Sequence, residues 1–490
     1  MKAILALDSG TTNVKAILVD RQVNVLARNS VPLSIDYPKS GWVEQSAADV
    51  WEAARKAVEG CLAQGAGYEV VALGISNQRE TLVAWSRETG EAAAPCIVWQ
   101  CRRSAEICQV LRRRGLEEYI RTKTGLQVDP LFPSSKIQWL LENRSDIRKL
   151  AEEGKLCLGT VDTWLVWNLT GGKRFVTDFS NASRTQLFNI GHGAWDPDLL
   201  RLFGVPATAL PEVVASNELL GEAVLSGGTP LPIYGILGDS HAALLGHGVL
   251  ETGKVKATYG TGSSLMTLCD VPEGSEKGIS STIAWKFDRI QYAYEGNITV
   301  TGSGLSWVLA LAGFEDLEPA VKRATELEGS GDIYFVPALA GLGAPHWDDK
   351  ARGAFVGLSF DTRKEHLVRA ALEAIAFQVK DVFDAMERAG GRLEALLADG
   401  GASKNDWLMQ FQADVLGRQV LRSQTAELSG LGAAFAAGLG CGFWSSTDEI
   451  AKFAAPHDVF YPSLEESKRY RLVSRWNDAV ASVKAYALAQ

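Results

Sequence analysis

Positive charge is in short supply in this sequence. Its 49 Lys and Arg are outnumbered by 58 Asp and Glu, for a net charge of −9. That balance excludes a broad nucleic-acid-binding surface. The basic run Arg112-Arg113-Arg114 reads as a solvated helix end. The seven Cys are scattered, with no CxxC pair, which excludes a disulfide framework and fits the reduced thiols of a cytoplasm. Cys101 and Cys108 read as plain buried thiols. The six His show no metal-ligand spacing; His241 and His247 do not share a helical face. No GxxxxGK[ST] loop and no GxSxG elbow occurs. The apolar run at residues 3–7 stops at Asp8, too early for a signal peptide. The Gly/Ala-rich stretch at 431–444 is too short to span a bilayer. These absences leave a cytoplasmic protein without a membrane span.

A chain of 490 residues exceeds what one core usually organises, so two large domains are expected. They are placed at 1–246 and 247–490, divided near Gly246, although no Pro/Ser-rich linker marks the division. Residues 3–7, 15–19 and 23–27 read as strands, with turns at Asp8-Ser9-Gly10-Thr11-Thr12 and Asp20-Arg21-Gln22. Ser46 and Asp49 have capping-box spacing, ahead of Val50, Ala54, Ala57, Val58 and Cys61 at helical spacing. Residues 71–75 form a buried strand leading into Asn77-Gln78-Arg79-Glu80. Near residue 250 the opening pattern recurs as strand, Gly260-Thr261-Gly262-Ser263-Ser264 turn, and strand, as two related α/β halves require. Thr362 and Glu365 have the spacing to cap a long helix. Its Leu367, Ala371, Ala374, Ile375 and Val382 share a face, and Gly390-Gly391 end it. A final amphipathic helix is expected from about Glu465.

Three turns have the composition of anion cradles: Asp8-Ser9-Gly10-Thr11-Thr12, Gly260-Thr261-Gly262-Ser263 and Asp399-Gly400-Gly401-Ala402-Ser403. Small side chains let backbone N–H groups point at a phosphate, and Ser and Thr hydroxyls add donors. Asp8 can hold a magnesium ion, directly or through water. One such turn is usually only a turn, but three with matching chemistry point to a nucleotide. A second group of polar residues interrupts apolar surroundings. It comprises Arg79-Glu80 after a strand, Trp99 within Ile97-Val98-Trp99-Gln100-Cys101-Arg102-Arg103, and Asp239-Ser240 after another strand. Two readings fit: a buried ion pair with a capping Asp, or a polyol site. In the second, Arg79 and Glu80 match adjacent hydroxyls and Trp99 covers the carbon face.

Over essentially its whole length the sequence resembles the FGGY carbohydrate kinases, and among them the glycerol kinases. The stretches that carry the likeness include Asp8-Ser9-Gly10-Thr11-Thr12, Gly41-Trp42-Val43-Glu44, Asn77-Gln78-Arg79-Glu80, Gly159-Thr160-Val161-Asp162-Thr163-Trp164, Asn181-Ala182-Ser183-Arg184-Thr185 and Gly341-Leu342-Gly343-Ala344-Pro345. The second family signature runs from Gly353-Ala354-Phe355 through His366-Leu367 to Leu372-Glu373. The resemblance implies an α/β fold of two ribonuclease-H-like (actin-like ATPase) domains flanking a nucleotide cleft, which closes over its substrates. It implies an ATP-dependent kinase acting on a hydroxyl of a small polyol or sugar. In that pattern Asp239 is the general base, and Arg79, Glu80 and Trp99 hold the acceptor. Thr11, Thr12, Thr261, Gly302, Gly401 and Asn405 line the ATP site, and Asp8 serves Mg2+. Homo-oligomers, by default dimers, are implied by the same likeness.

The departures from the glycerol kinase pattern cluster in the acceptor pocket. Leu131 stands where those enzymes have Tyr, Ser240 where they have Gln, and Ser264 where they have Phe. Near the ATP site Lys15 replaces an Arg and Ser306 a Gln. Each pocket change removes bulk, so the acceptor is expected to be glycerol or something larger, such as a tetritol, a pentitol or a ketose like xylulose or ribulose. The alternative of another class is a non-catalytic, nucleotide- or sugar-binding actin-like regulator. The loop at 225–230 lacks the Arg with which some glycerol kinases bind a bisphosphate sugar regulator, so that regulation is not expected.

Overall fold

The structure is a computed structural model that describes residues 1–225, 230–272, 278–453 and 457–488; the greater part of the 225–230 loop lies outside the described residues. In chain order, the elements that position the site begin with β1 (Lys2–Ser9), β2 (Asn13–Val19), β3 (Val25–Pro32), α1 (Ala47–Gln64), β4 (Glu69–Asn77) and α2 (Pro133–Asn143). They continue with β5 (Leu219–Ala223), β6 (Leu231–Gly238), α3 (Asp239–Gly246), β7 (Lys254–Tyr259), β8 (Ser263–Cys269), β9 (Ser280–Lys286), β10 (Ile290–Ile298) and α4 (Gly302–Leu311). The last are α5 (Lys364–Gly390), β11 (Ala395–Asp399), α6 (Asp406–Leu416), β12 (Gln419–Ser423), α7 (Leu428–Gly440), β13 (His457–Phe460) and α8 (Glu466–Leu488). The chain forms two compact units. One holds Met1–Leu250, Ser281–Ala293 and Glu427–Ala454; the other holds Glu251–Ser280, Tyr294–Ala426 and Ala455–Gln490. This division differs from a single cut at Gly246 by the two later returns of the chain to the first unit.

The first unit is built on a six-stranded sheet in the order β5-β6-β4-β1-β2-β3. The meander expected at the N-terminus is present, with β1, β2 and β3 antiparallel in sequence. β4 and β6 run parallel to β1 and to each other. Ala3, Ile4, Leu5, Ala6 and Leu7 are all fully buried, as in a strand covered on both faces. Ser46 caps α1 by accepting the Asp49 N–H at 3.1 Å, and the apolar face foreseen for that helix is the buried one. Leu18 faces α1 while its neighbour Ile17 faces α7, so the two helices cover opposite faces of the sheet. α7 approaches at backbone distance. A Cβ on Gly432 would lie 1.8 Å from the Ala242 carbonyl oxygen, and one on Gly74 would lie 2.2 Å from that of Ala433. The Gly/Ala-rich stretch near residue 431 is therefore a tightly packed core helix. No helix among the described residues is long and apolar enough to cross a membrane.

Parallel pairing sets the carboxyl ends of β1, β4 and β6 side by side, with Ser9 opposite Asn77 and Asn77 opposite Gly238. Ligands of open α/β sheets bind outside such strand ends. The residues that follow them are Gly10, Gln78 and Asp239.

In the second unit β7 and β8 form an antiparallel hairpin, and β11 lies parallel to β7 with Thr258 opposite Asp399. This repeats the β1-β2 hairpin and its parallel partner β4, as the recurrence in the sequence suggests. Beyond β11 the same sheet continues with β12, parallel to β11, and β13, antiparallel to β12. The start of α5 corrects the expected Thr362–Glu365 capping box. The Arg363 N–H donates to His366 Nδ1 at 3.1 Å, while Thr362 Oγ1 accepts from the Ser359 N–H at 2.9 Å in the preceding turn. The helix begins one residue later than expected, so Arg363 rather than Thr362 holds the N-cap position. Gly391, at φ 89°, ends α5, and α8 begins at Glu466 where a terminal helix was expected.

Candidate active site

Asp239 is the first residue of α3, directly after β6. Its Oδ1 accepts from Arg79 Nε at 3.0 Å and from the Ser240 backbone N–H at 2.7 Å. No hydrogen bond from the described residues reaches its Oδ2, and the side chain keeps 40% of its exposure. One oxygen is thus fixed and the other is open to solvent or substrate. Gly238 is needed for this arrangement: a Cβ there would meet Arg79 Cδ at 2.6 Å. The Ser429 hydroxyl donates to the Asp239 carbonyl at 3.1 Å and ties α3 to α7.

Asp8, near the end of β1, is enclosed at Oδ1, which has no hydrogen-bond partner among the described residues. Burial, and next the charge of Asp239, push its carboxyl up to about 6. A buried carboxylate oxygen with no donor, close to a second carboxylate, has the chemistry of a magnesium ligand. No cluster of three or more His, Cys, Asp or Glu among the described residues could hold a metal, so phosphate and water oxygens would complete the shell. Lys15 lies 3.5 Å from Glu427.

Arg79 and Glu80 follow β4. Glu80 adopts φ 60°, left-handed backbone that a residue with a side chain rarely takes. Its Oε1 accepts from Arg184 Nε at 2.6 Å, and its carbonyl accepts from Lys136 Nζ at 2.9 Å. Lys136 also donates to the Leu131 carbonyl at 2.7 Å, so the residue replacing Tyr is tied to the residue expected to hold the acceptor. Trp99, partly exposed, donates its indole N–H to Thr11 Oγ1 at 3.0 Å. The Thr11 hydroxyl, assigned from resemblance to the nucleotide, thereby also steadies the ring assigned to the acceptor. The turn holding Thr11 is gripped from behind: Gln45 Nε2 donates to the Thr11 carbonyl at 2.7 Å, and the Gln78 N–H to that of Ser9 at 2.8 Å. Thr12 is exposed at the tip, and Ser240 is buried.

A buried polar network under these residues was not assigned from sequence. The Asn77 and Asn181 side chains exchange hydrogen bonds of 2.9 and 3.1 Å. Asp178 accepts from Asn181, Ser180 and Ser216, and Ser180 Oγ accepts the Gly238 N–H at 3.0 Å. The network joins the ends of β4 and β6, which carry Arg79 and Asp239. The signal available was the polar run from Thr177 to Gln186, which includes one of the stretches that carry the family likeness.

The second unit gathers the other two glycine turns. Gly302 N–H donates to the Gly260 carbonyl at 3.1 Å, and Ser303 donates to the Thr261 carbonyl through N–H and hydroxyl at 3.1 and 3.0 Å. A Cβ on Gly302 would lie 2.6 Å from the Gly260 oxygen. Gly400, at φ 93°, backs onto Tyr259, whose oxygen would be 2.5 Å from a Cβ. Gly401 and Thr261 are exposed, as is Ser306, whose hydroxyl donates to the Gly302 carbonyl at 3.1 Å. Asn405 Oδ1 caps α6 by accepting the Leu408 N–H at 2.9 Å. Ser264 donates to the buried Glu295 at 3.3 Å. Thr261, Gly302, Gly401 and Asn405 therefore cluster at the carboxyl ends of β7 and β11, as Asp8, Arg79, Glu80, Trp99 and Asp239 do at those of β1, β4 and β6.

Two family models match the chain. The model of the FGGY carbohydrate kinase N-terminal domain matches residues 3–246, and that of the C-terminal domain residues 255–441. A protein of Pectobacterium atrosepticum named apulose kinase is 46% identical, with 98% of each chain covered. Glycerol kinase 2 of Pseudomonas aeruginosa is also 46% identical, covering 99% of this chain and 98% of its own. Among solved structures, Plasmodium falciparum glycerol kinase with ADP superposes with a TM-score of 0.91 at 32% identity, over 99% of this chain and 98% of the other.

Proposed function

The chain belongs to the FGGY family of carbohydrate kinases, and from that membership we propose that it passes the γ-phosphoryl group of ATP to a hydroxyl of a ketose or polyol larger than glycerol, with Asp239 as general base. The observation that carries the reading is the Asp239 carboxylate, fixed at Oδ1 by Arg79 and Ser240 and open at Oδ2. The acceptor oxygen bonds to the γ-phosphorus as the bond to the β–γ bridging oxygen breaks. The hydroxyl proton goes to Oδ2, and ADP leaves. Protein contributes alignment and charge more than covalent chemistry. Arg79 and Glu80 bind adjacent hydroxyls, and Trp99 covers the carbon face. In the second unit Thr261, Gly302 and Gly401 bind the nucleotide through backbone and hydroxyl donors. Asn405 adds its amide, and Ser306 lies at the rim. Thr11, Thr12 and Lys15 are assigned to the nucleotide by family likeness alone. Asp8 would hold Mg2+, which neutralises phosphate charge when bound.

Two facts support the larger acceptor. Leu131, Ser240 and Ser264 are smaller than the Tyr, Gln and Phe of the glycerol kinase pattern, and a relative at 46% identity is named apulose kinase rather than glycerol kinase. Glycerol itself is the second reading, favoured by the equally similar Pseudomonas protein. Initial rates with ATP and a panel of glycerol, tetritols, pentitols and pentuloses decide between them. The highest kcat/KM is expected for a five-carbon acceptor; the highest for glycerol would remove the larger acceptor and leave the kinase. We place the protein in the cytoplasm as a homodimer or larger homo-oligomer, which light scattering on the eluted protein checks.

A further inference from the structure

Glu80 is held from two sides by buried cations. Lys136 grips its carbonyl and Arg184 its carboxylate, and both are fully buried. The Arg184 guanidinium also lies over the Phe132 ring, 5.2 Å from its centroid. Lys136 reaches the Leu131 carbonyl with a second N–H, and the Leu131 N–H is fixed by Asp129 Oδ1 at 2.8 Å. Left-handed backbone at a residue with a side chain is strained, and burying two cations is unfavourable where apolar side chains of similar volume would pack. Stability alone is poorly served by this arrangement. It is explained if one carboxylate oxygen has to be aimed: Arg184 occupies Oε1, and no hydrogen bond from the described residues occupies Oε2 of Glu80. Rigid support of this kind is what a binding group needs to act at fixed distance.

We infer that Lys136 and Arg184 are positioning residues for the acceptor: they lock Glu80 and Leu131 into one rigid edge of the pocket and leave Glu80 Oε2 to accept a hydroxyl. The inference rests on the acceptor reading above. The test is a double-mutant cycle of Lys136→Met and Glu80→Gln, read as KM for the best acceptor, KM for ATP and kcat. Lys136→Met is expected to raise the acceptor KM at least ~10-fold while the ATP KM stays within ~2-fold, and in the Glu80→Gln background its effect should shrink below ~2-fold. A purely structural role would move both KM values together or keep its full effect in that background, and either result overturns the inference. Should Lys136→Met not fold, Arg184→Lys carries the same cycle, since it keeps the charge but loses the planar Nε–H donor. A wild-type chain that phosphorylates no polyol or ketose would remove the proposed function and this inference with it. An active wild type without the KM split removes the inference alone.

Discussion

In the first unit the candidate site is made of side chains, many of them charged and several without any contact with water. In the second it is made of main chain, with glycines where other residues would collide and hydroxyls at the rim. Lys136, Arg184, Asn77 and Asp178 are fully buried around the first site, whereas Gly260, Thr261, Gly401 and Ser306 are exposed in the second. The difference suits the ligands proposed for the two units. A polyol presents hydroxyls that only directed side-chain donors and acceptors can distinguish, while a phosphate is recognised by any converging set of N–H groups. The first site should therefore be sensitive to deletion of functional groups, and the second to addition of carbon.

The largest effect belongs to Asp239→Asn, which keeps shape and removes the base; kcat should fall at least ~100-fold with little change in the ATP KM. A rate near wild type would break the assignment. Gly302→Ala tests the opposite vulnerability. The added carbon meets the Gly260 oxygen at 2.6 Å, and overpacking of that kind costs about 1–3 kcal/mol, so the ATP KM should rise ~5-fold or more. Ser306→Ala, which deletes an exposed hydroxyl, should change it less than ~3-fold; equal effects would erase the contrast.

A third prediction concerns pH. Burial, opposed by the Glu80 charge, lowers the Lys136 ammonium from 10.5 to about 7. Above pH 7 the folded chain has released a proton that the unfolded chain still binds, so this group's contribution to stability rises with pH up to the unfolded value. From pH 7 to 9 the wild type should gain about 2 kcal/mol relative to Lys136→Met in urea unfolding. Parallel pH profiles would mean that the lysine stays charged when buried. The smallest effects are at Asn405, where structure and binding separate. Asn405→Ala should lose about 1 kcal/mol of stability with the helix cap. Asn405→Asp keeps the cap, so the melting temperature should hold while the ATP KM rises a few-fold.

Much of this was legible in the sequence because it is local. The β1-β2 hairpin and its echo at β7-β8, the Ser46 cap and the face of α1 depend on residues a few positions apart. The charged residues after the buried strands stood out in the sequence, but they fitted a buried ion pair as well as a polyol site, and only the family likeness attached roles to them. Contacts over long sequence separation were hidden. Nothing in the spelling of Lys136 says that it reaches back to Glu80, or that Asn77 pairs with Asn181, because both depend on how the chain returns. The Thr362 cap differs for a local reason: Thr362 belongs to the preceding turn with Ser359, and the helix starts one residue later, with Arg363 at the N-cap. The return of the chain to the first unit had its sign in the Gly/Ala-rich composition of α7, whose small residues admit a partner backbone at close range.

The fit between α7 and the first sheet has a consequence for how the protein is made. The sheet residues Gly74 and Gly235, and Gly246 of α3, present bare surface shaped for a helix that begins at Leu428. On a ribosome, that helix emerges only after most of the polypeptide has been synthesised. The N-terminal half must wait with an apolar face uncovered, and a fragment cut at residue 250 should aggregate where the full chain does not.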